Sequence, residues 1–197
     1  MAALEPSKPQ ATLQALDGEI AVCILAGGLS TRMGRPKSSL QWRGRTFLSH
    51  LKHAAAEAGW PCRIIAHDQV PRCGPLGGIA TGLLTSRQTW VVFLACDMPL
   101  IHAALLQRMV RRIGPGSKPR VVRHQGTVGF PIVLPAKMGR RVLELIQEGV
   151  RSVQELSRRT GAVEVPLPKA WMFRLANINT PEDLKRLAGS GNSAGTD

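Results

Sequence analysis

The feature that most constrains the fold is an alternation between short apolar runs and longer segments with helical periodicity. The first run, Ile20–Leu25, ends at glycines, and a helical pattern follows over residues 46–58. Two further runs, at residues 62–66 and 90–96, are also succeeded by helical patterns. Strands that alternate with helices in this way predict a largely parallel sheet with helices on both faces.

The rest of the folded chain continues this pattern. A glycine-rich turn is predicted at residues 74–78. The remaining predicted elements, in chain order, are helices at residues 79–86 and 100–113, strands at 120–123 and 130–134, and helices at 137–148 and 152–160. The predicted fold class is therefore α/β, a three-layer, doubly wound, mostly parallel sheet of the Rossmann-like type. Ligands of such sheets bind beyond the carboxyl ends of the strands, so chemistry is expected after Leu25, Ala66 and Cys96.

One domain is expected at residues 20–188, because a chain of 197 residues with 44% apolar composition can bury one ordinary core. Residues 1–19 start with an acidic residue and prolines and lack the features of a secretory signal, so they predict a flexible leader. Residues 189–197 are small and polar and predict a disordered tail. No run of 18 apolar residues occurs, so no membrane span is expected.

The four cysteines favour a reducing compartment. They form no C-x-x-C pair and have no paired histidines at ligand spacing, which argues against a zinc site and a redox dithiol. Cys23 and Cys96 lie inside apolar runs and are predicted to be buried core thiols. We therefore expect a cytoplasmic protein.

The formal net charge of +13 requires an explanation, since 26 Lys and Arg oppose only 13 Asp and Glu. A nucleic acid, an anionic lipid surface or a small substrate with several phosphates would each fit such a charge. The basic residues are scattered instead of clustered in runs, and many of them are expected on a solvated face. Nucleic-acid binding is disfavoured because aromatic residues make up 4% of the chain and tyrosine is absent.

The segment after the first predicted strand is the first candidate site. Its glycines let the backbone fold around an anion, its hydroxyls add hydrogen bonds, and its cations supply charge. These residues are Gly27, Gly28, Gly34, Ser30, Thr31, Arg32 and Lys37. The spacing matches neither a dinucleotide-binding fingerprint nor a P-loop, which argues against a dehydrogenase or an ATPase. A tight connection that carries surface cations is the simpler alternative.

Asp97 is the second candidate. Between Glu19 and Glu144 it is one of only three acidic residues, and it follows directly on an apolar run. A carboxylate in that position costs free energy unless it has a partner, and a hard cation that bridges phosphates is a good one. From position alone, Asp97 could equally cap a helix that begins near Pro99.

Four motifs, in order, resemble those of the molybdenum cofactor guanylyltransferase family, the MobA-like nucleotidyltransferases. The first, L-A-G-G-x-S-x-R-M-G-x-x-K, occupies residues 25–37. The others are G-P-L-G-G at residues 74–78, C-D-M-P at 96–99 and N-I-N-T-P-E-D at 177–183. The resemblance spans the whole predicted domain, and it implies the nucleotidyltransferase fold.

The resemblance also implies a reaction and its participants. GTP and molybdopterin would be the substrates, Mg²⁺ the cofactor, and the product a guanine dinucleotide cofactor destined for acceptor molybdoenzymes. Backbone groups of Leu25, Ala26 and Gly27 would hold the nucleotide, while Lys37 would neutralise the triphosphate. Asp97 would be the metal ligand.

Further residues follow from the same resemblance. Arg32 would contact the leaving pyrophosphate, and Asp68 would contribute to the nucleotide site. Asn177 and Asn179 would border the pterin, although they could instead form a turn that caps the last helix. Residues 129–131 occupy the place of a motif that faces the second substrate.

Three functions stay open at this point. Guanylyl transfer to molybdopterin is the first. The second keeps the fold but uses CTP or a sugar-phosphate acceptor; relatives that use CTP tend to have L-A-A-G near residue 26 and a different second turn, which favours GTP. The third is a basic nucleic-acid-binding protein without enzymatic activity.

Overall fold

A computed structural model describes residues 19–27, 40–66 and 73–189. Residues 1–18 of the predicted leader and the predicted tail beyond Gly189 lie outside the described residues. So do the candidate residues Gly28, Ser30, Thr31, Arg32, Gly34, Lys37 and Asp68. The strands are β1 (Ile20–Leu25), β2 (Gln41–Trp42), β3 (Arg45–Thr46), β4 (Cys62–Ile65), β5 (Trp90–Ala95), β6 (Arg120–His124), β7 (Thr127–Pro135) and β8 (Val163–Glu164). The α-helices are α1 (Phe47–Glu57), α2 (Pro75–Leu84), α3 (Ala103–Val110), α4 (Gly139–Gln147), α5 (Val153–Thr160) and α6 (Pro181–Gly189). Short 3₁₀ helices occupy Ala136–Met138 and Lys169–Leu175.

The main sheet has six strands in the order β4-β1-β5-β7-β6-β8. Strands β4, β1 and β5 are parallel, and Leu25 lies opposite both Ile65 and Ala95. Strand β7 runs antiparallel to β5 and β6, while β8 is parallel to β6. The mostly parallel sheet is therefore confirmed, and β7 is the reversed strand among the six described.

The side chains of the central strands alternate between two apolar cores, which gives the predicted three layers. Ile20, Val22 and Ile24 of β1 pack in the core that includes α1 and α3. Cys23 and Leu25 pack on the other face, in the core that includes α2, α4 and α5. Cys23 and Cys96 are buried, as predicted, and all four cysteines are free thiols. Within the described residues no helix is long and apolar enough to cross a bilayer.

Helix α2 begins at Pro75 instead of at Ile79, so the prediction of a turn over residues 74–78 is wrong beyond Gly74. Gly74 has φ +58, and a Cβ there would lie 3.1 Å from the carbonyl oxygen of Arg151. Glycine is therefore required at this position. Pro75 takes the first helical position, where its missing N–H leaves no hydrogen bond unmade.

Helix α3 is capped by His102 and not by Asp97. The Nδ1 atom of His102 accepts a hydrogen bond from the Leu105 N–H at 3.1 Å, and α3 begins at Ala103. The ring of Trp171 packs edge-on against His102 with 4.8 Å between centroids. The alternative in which Asp97 caps a helix that begins near Pro99 is therefore wrong.

We expect acid to destabilise the protein through this cap. Nδ1 must be unprotonated to accept the hydrogen bond, and the pKa of His102 is lowered below its ordinary 6.5 by burial and then by Arg174, with Glu57 acting in the opposite direction. The unfolded chain therefore binds a proton at His102 at higher pH than the folded chain does. The resulting stability is present above pH 6.5 and is lost as pH falls through the folded-state pKa.

Urea unfolding at pH 7.5 and 5.5 checks this expectation. The matched variant is His102→Asn, which keeps a capping oxygen but does not titrate. The wild type should lose more stability between the two pH values than His102→Asn does. An equal loss in both proteins would assign the acid sensitivity to other groups.

Candidate functional site

The carboxyl ends of β4, β1 and β5 meet at one edge of the sheet, where their main chains are hydrogen-bonded to one another. The Ala26 N–H donates to the Ile65 carbonyl at 2.9 Å, and the Cys96 N–H donates to the Leu25 carbonyl at 3.2 Å. These bonds bring Leu25 and Ala26 next to the turn that contains Asp97. They also engage the Leu25 carbonyl and the Ala26 N–H. As far as the described residues show, a ligand here would meet the Ala26 carbonyl and the peptide of Gly27.

Asp97 lies in a tight turn directly after β5, where the Met98 N–H donates to the Ala95 carbonyl at 3.3 Å. The residue is half-buried, and its Oδ1 atom is shielded from solvent. The carbonyl oxygen of Asp97 accepts a hydrogen bond from the Ile178 N–H at 2.8 Å. Because Ile178 is itself buried, the C-terminal segment is fixed against the Asp97 turn.

The segment around Ile178 is held by a reciprocal cap at the start of α6. Oδ2 of Asp183 accepts hydrogen bonds from the Asn179 N–H at 3.0 Å and the Thr180 N–H at 2.9 Å. The Asp183 N–H donates to Thr180 Oγ1 at 3.1 Å. The Asn179 N–H and then the Thr180 hydroxyl lower the pKa of Asp183. The cap of the last helix is therefore formed by Thr180 and Asp183. Asn177 is exposed and faces a cleft.

This cleft has a volume of about 430 Å³ and lies beside the Asp97 turn. Its walls come from the β6–β7 hairpin, the start of α5 and the C-terminal segment, and they include Met98, His124, Gly129, Phe130, Gln154 and Asn177. In the hairpin, Val121 lies opposite Ile132 but Val122 lies opposite Gly129. The extra residues, Phe130 and Pro131, form an irregularity at the cleft wall. Gly129 and Phe130, from the segment for which the resemblance implies contact with a second substrate, thus line this cleft.

The protein ligands available at this edge fit a cation that is held mainly by the phosphate oxygens of a bound substrate. Among the described residues, no group of three His, Cys, Asp or Glu side chains could hold a metal ion alone. Asp97 is the carboxylate that the structure describes at this edge. Mg²⁺ in phosphate-transfer sites is bound through one or two carboxylates together with phosphate oxygens and water. One carboxylate, with the other ligands supplied by phosphate oxygens and water, would therefore be a sufficient protein contribution.

Comparison with known proteins decides the family. The family model described as "MobA-like NTP transferase domain" matches residues 22–69 and 52–163. The chain belongs to the MobA-like NTP transferase family. The molybdenum cofactor guanylyltransferase of Pseudomonas entomophila is 34% identical over 186 residues, which cover 82% of this chain and 94% of the relative. The family resemblance drawn from the motifs is confirmed.

Solved structures confirm the MobA-like fold. Molybdopterin-guanine dinucleotide biosynthesis protein A from Archaeoglobus fulgidus superposes with a TM-score of 0.66 at 20% identity, covering 87% of this chain and 98% of that one. Rv0371c from Mycobacterium tuberculosis, solved in complex with manganese, has a TM-score of 0.53 at 20% identity and covers 87% and 99% of the two chains.

The sequence motifs identified the residues that follow strands and also Asn177, Gly129 and Phe130 of the cleft wall, but they missed the rest of that wall. His124 and Gln154 line the cleft, yet neither belongs to a motif that the sequence analysis identified. A signal existed in the strand pattern, because His124 ends a short strand that directly precedes a glycine turn. Because His124 is far from Met98 in the sequence, no motif showed that the two residues line the same cleft.

Proposed function

We propose that this MobA-like protein transfers a guanylyl group from GTP to the terminal phosphate of molybdopterin. An oxygen of that phosphate forms a bond to the α-phosphorus of GTP, and the bond between the α-phosphorus and the β-phosphate bridging oxygen breaks. Pyrophosphate leaves with the electron pair of that bond, and the product is a guanine dinucleotide form of the cofactor. No protein nucleophile is needed, because positioning and charge neutralisation supply most of the catalysis in such transfers.

The donor nucleotide is assigned to the edge formed by β4, β1 and β5. The Ala26 carbonyl and the Gly27 peptide would contact GTP directly, whereas Leu25, whose side chain is buried and whose carbonyl accepts from Cys96, would hold these two residues in place. Lys37 would neutralise the triphosphate, Arg32 would stabilise the departing pyrophosphate, and Asp68 would complete the nucleotide site. The segments that carry Arg32 and Asp68 leave β1 and β4 at this same edge.

Asp97 is proposed to hold Mg²⁺ against the phosphates of the nucleotide. A divalent cation there would lower the charge repulsion between donor and acceptor phosphates. Asp97 is suited to this role because its turn is fixed by two main-chain hydrogen bonds, from Met98 to Ala95 and from Ile178 to Asp97. These two bonds fix the main chain on both sides of the carboxylate and so set where it projects.

The acceptor is assigned to the cleft of about 430 Å³ beside Asp97. One observation carries the proposal: β5, which ends just before Asp97, lies between β1 and β7, and Met98 of the Asp97 turn lines the cleft. Two phosphates that enter from opposite sides would therefore meet at this turn. Asn177, Gln154 and His124 supply hydrogen-bonding groups for a pterin. Phe130 adds an apolar wall.

Thermal stabilisation tests the choice of nucleotide. A ligand present at about 100 times its Kd stabilises the fold by roughly 2.7 kcal/mol, which is about 5–10 °C for a domain of this size. We expect this shift with GTP and Mg²⁺, and a much smaller one with CTP or ATP at the same concentration. A larger shift with CTP would instead identify cytidylyl transfer, and formation of the guanine dinucleotide from purified molybdopterin would complete the assignment.

Lys37→Ala is expected to weaken GTP binding and leave the fold intact. Lys37 belongs to a polar segment of the sequence on which no predicted core depends. One charge-assisted hydrogen bond to a phosphate is worth about 1.5–3 kcal/mol, so the Kd for GTP should rise by roughly one to two orders of magnitude. Titration calorimetry measures this change. GTP affinity equal to wild type in the folded variant would remove Lys37 from the site.

A further inference from the structure

We propose a second anion site at the far end of α3, which binds a compact ligand that carries two or more phosphoryl groups. Four arginines line a pocket of about 420 Å³ there, Arg108, Arg111, Arg112 and Arg120, and we refer to it as the arginine pocket. The proposal does not rest on the proposed function.

The arginine pocket is separate from the candidate active site. Helix α3 starts at Ala103, shortly after the Asp97 turn, and ends at Val110, beside the pocket. At 1.5 Å per residue, this helix is about 12 Å long, and the Asp97 turn and the pocket lie at its opposite ends. Arg120 is the first residue of β6, which runs in the same direction as β5, so the pocket lies toward the amino-terminal side of the sheet.

Two of the four guanidinium groups are held in place by main-chain carbonyls. Arg120 donates to the carbonyls of Met109 at 3.1 Å and Arg111 at 2.6 Å through Nη1, and to Arg112 at 3.2 Å through Nη2. Arg108 donates to the Pro166 carbonyl through Nε at 3.2 Å and Nη2 at 3.1 Å. Carbonyl oxygens carry no net charge. These contacts therefore fix the positions of the cations and leave their positive charge uncompensated.

The acidic residue that lines the pocket is already engaged. Both carboxylate oxygens of Glu164 accept hydrogen bonds from Arg123, at 3.0 Å from Nε, with a further contact of 2.5 Å from Nη2. No other carboxylate lines the pocket in the part of the chain that the structure describes. Like charges gathered in a partly desolvated recess repel, and burial lowers the pKa of Arg120. An anion of matching shape would relieve this repulsion.

The shape and lining of the pocket favour a small phosphoryl ligand. Guanidinium groups match the oxygens of phosphate in a bidentate fork. The remaining walls are Val163, Val165 and Pro166, so the described lining offers no aromatic ring on which a base could stack. The carbonyls at the end of α3, which would repel an anion, are covered by Arg120. The partial negative charge at the carboxyl end of α3 favours one cation nearby, but it does not account for four arginines.

Calorimetric titration of the full chain with pyrophosphate, in the absence of divalent cations, tests the proposal. The double variant Arg111→Ala/Arg112→Asn removes two cations, and asparagine tolerates the φ of +62 at position 112. We expect its Kd for pyrophosphate to rise at least tenfold. Arg140→Ala is the matched control, because Arg140 is an exposed arginine on α4, and its Kd should equal that of the wild type. Arg111→Ala alone should give a smaller rise in the same direction, and it replaces the double variant if that one unfolds.

Lys37→Ala separates this site from the nucleotide edge. The arginine pocket should still bind pyrophosphate in the Lys37→Ala variant. If Lys37→Ala lost all pyrophosphate binding while the arginine variants bound it normally, the proposal would be overturned. An equal loss in Arg140→Ala would show nonspecific charge attraction and would also overturn it. Tighter binding of a hexaglutamate peptide or of duplex DNA than of pyrophosphate would reject a small phosphoryl ligand in favour of an acidic protein or a nucleic acid.

Discussion

Asp97→Asn is expected to fold normally and to lose nearly all guanylyl transfer. The amide has the same shape as the carboxylate, and the main-chain hydrogen bonds that fix the turn do not involve the side chain. Replacing the charge should weaken Mg²⁺ between the phosphates, which we expect to reduce turnover by orders of magnitude. Formation of the guanine dinucleotide, measured at saturating and at limiting Mg²⁺, checks this expectation.

The control for Asp97→Asn is its melting temperature. Since α3 is capped by His102, the substitution removes no cap and should leave melting close to that of the wild type. Glu57→Gln, which changes a half-exposed carboxylate on α1 that does not line the cleft, is a matched loss of charge and should keep full activity. Wild-type turnover of Asp97→Asn at limiting Mg²⁺ would move the metal site elsewhere, with Asp68 as the other acidic candidate.

Gly82→Val is expected to give the largest loss of stability. A Cβ at position 82 would lie 2.5 Å from Cε1 of Phe93 and 3.3 Å from Sγ of Cys23. Phe93 is completely buried against the same core, so its ring cannot swing aside into solvent. Overpacking of this kind costs about 1–3 kcal/mol, and a branched side chain should reach the upper end. The helix propensity gained by removing glycine, about 0.5–1 kcal/mol, is too small to offset it.

Urea unfolding measures the effect of Gly82→Val, which should also appear as a fall in melting temperature of roughly 6–12 °C. Gly114→Val is the control, because a Cβ at position 114 meets no atom within 4 Å. The control should stay within about 0.5 kcal/mol of the wild type, as surface substitutions do. Equal stability of Gly82→Val and wild type would mean that β5 and α2 can separate without cost.

The central strands could be predicted because their sequence carries the burial signal itself. Strand β1 has the predicted bounds, and β4 and β5 end one residue before theirs. Strand β8 could not be predicted, since its two exposed residues are a strand only through pairing with β6. The direction of β7 was not predicted, although Gln125 and Gly126, which separate it from β6, both have positive φ and form the kind of tight turn that joins antiparallel strands. The start of α2 depends on the approach of Arg151 to Gly74, a contact between distant segments.

The candidate site was also predictable only in part. Leu25 ends β1, Ala26 follows it, and Asp97 follows β5. The general rule for parallel sheets, together with the family motifs, predicted that these residues lie close together. The cleft wall comes from a hairpin and a helix start that the sheet order places beside Asp97. The roles of Arg32, Lys37 and Asp68, as well as the domain bounds at residues 20 and 188, stay predictions.

The hydrogen bond from Ile178 to the carbonyl of Asp97 has a consequence for the timing of synthesis. The turn can form on the ribosome once β5 pairs with β1, but the N–H that fixes it emerges several seconds later at about 5–20 residues per second. A nascent chain therefore carries a folded sheet before it carries a complete site. Substrates bound to such a chain would lack one wall of the cleft, so the transfer reaction becomes available only after the segment that contains Ile178 has left the ribosome.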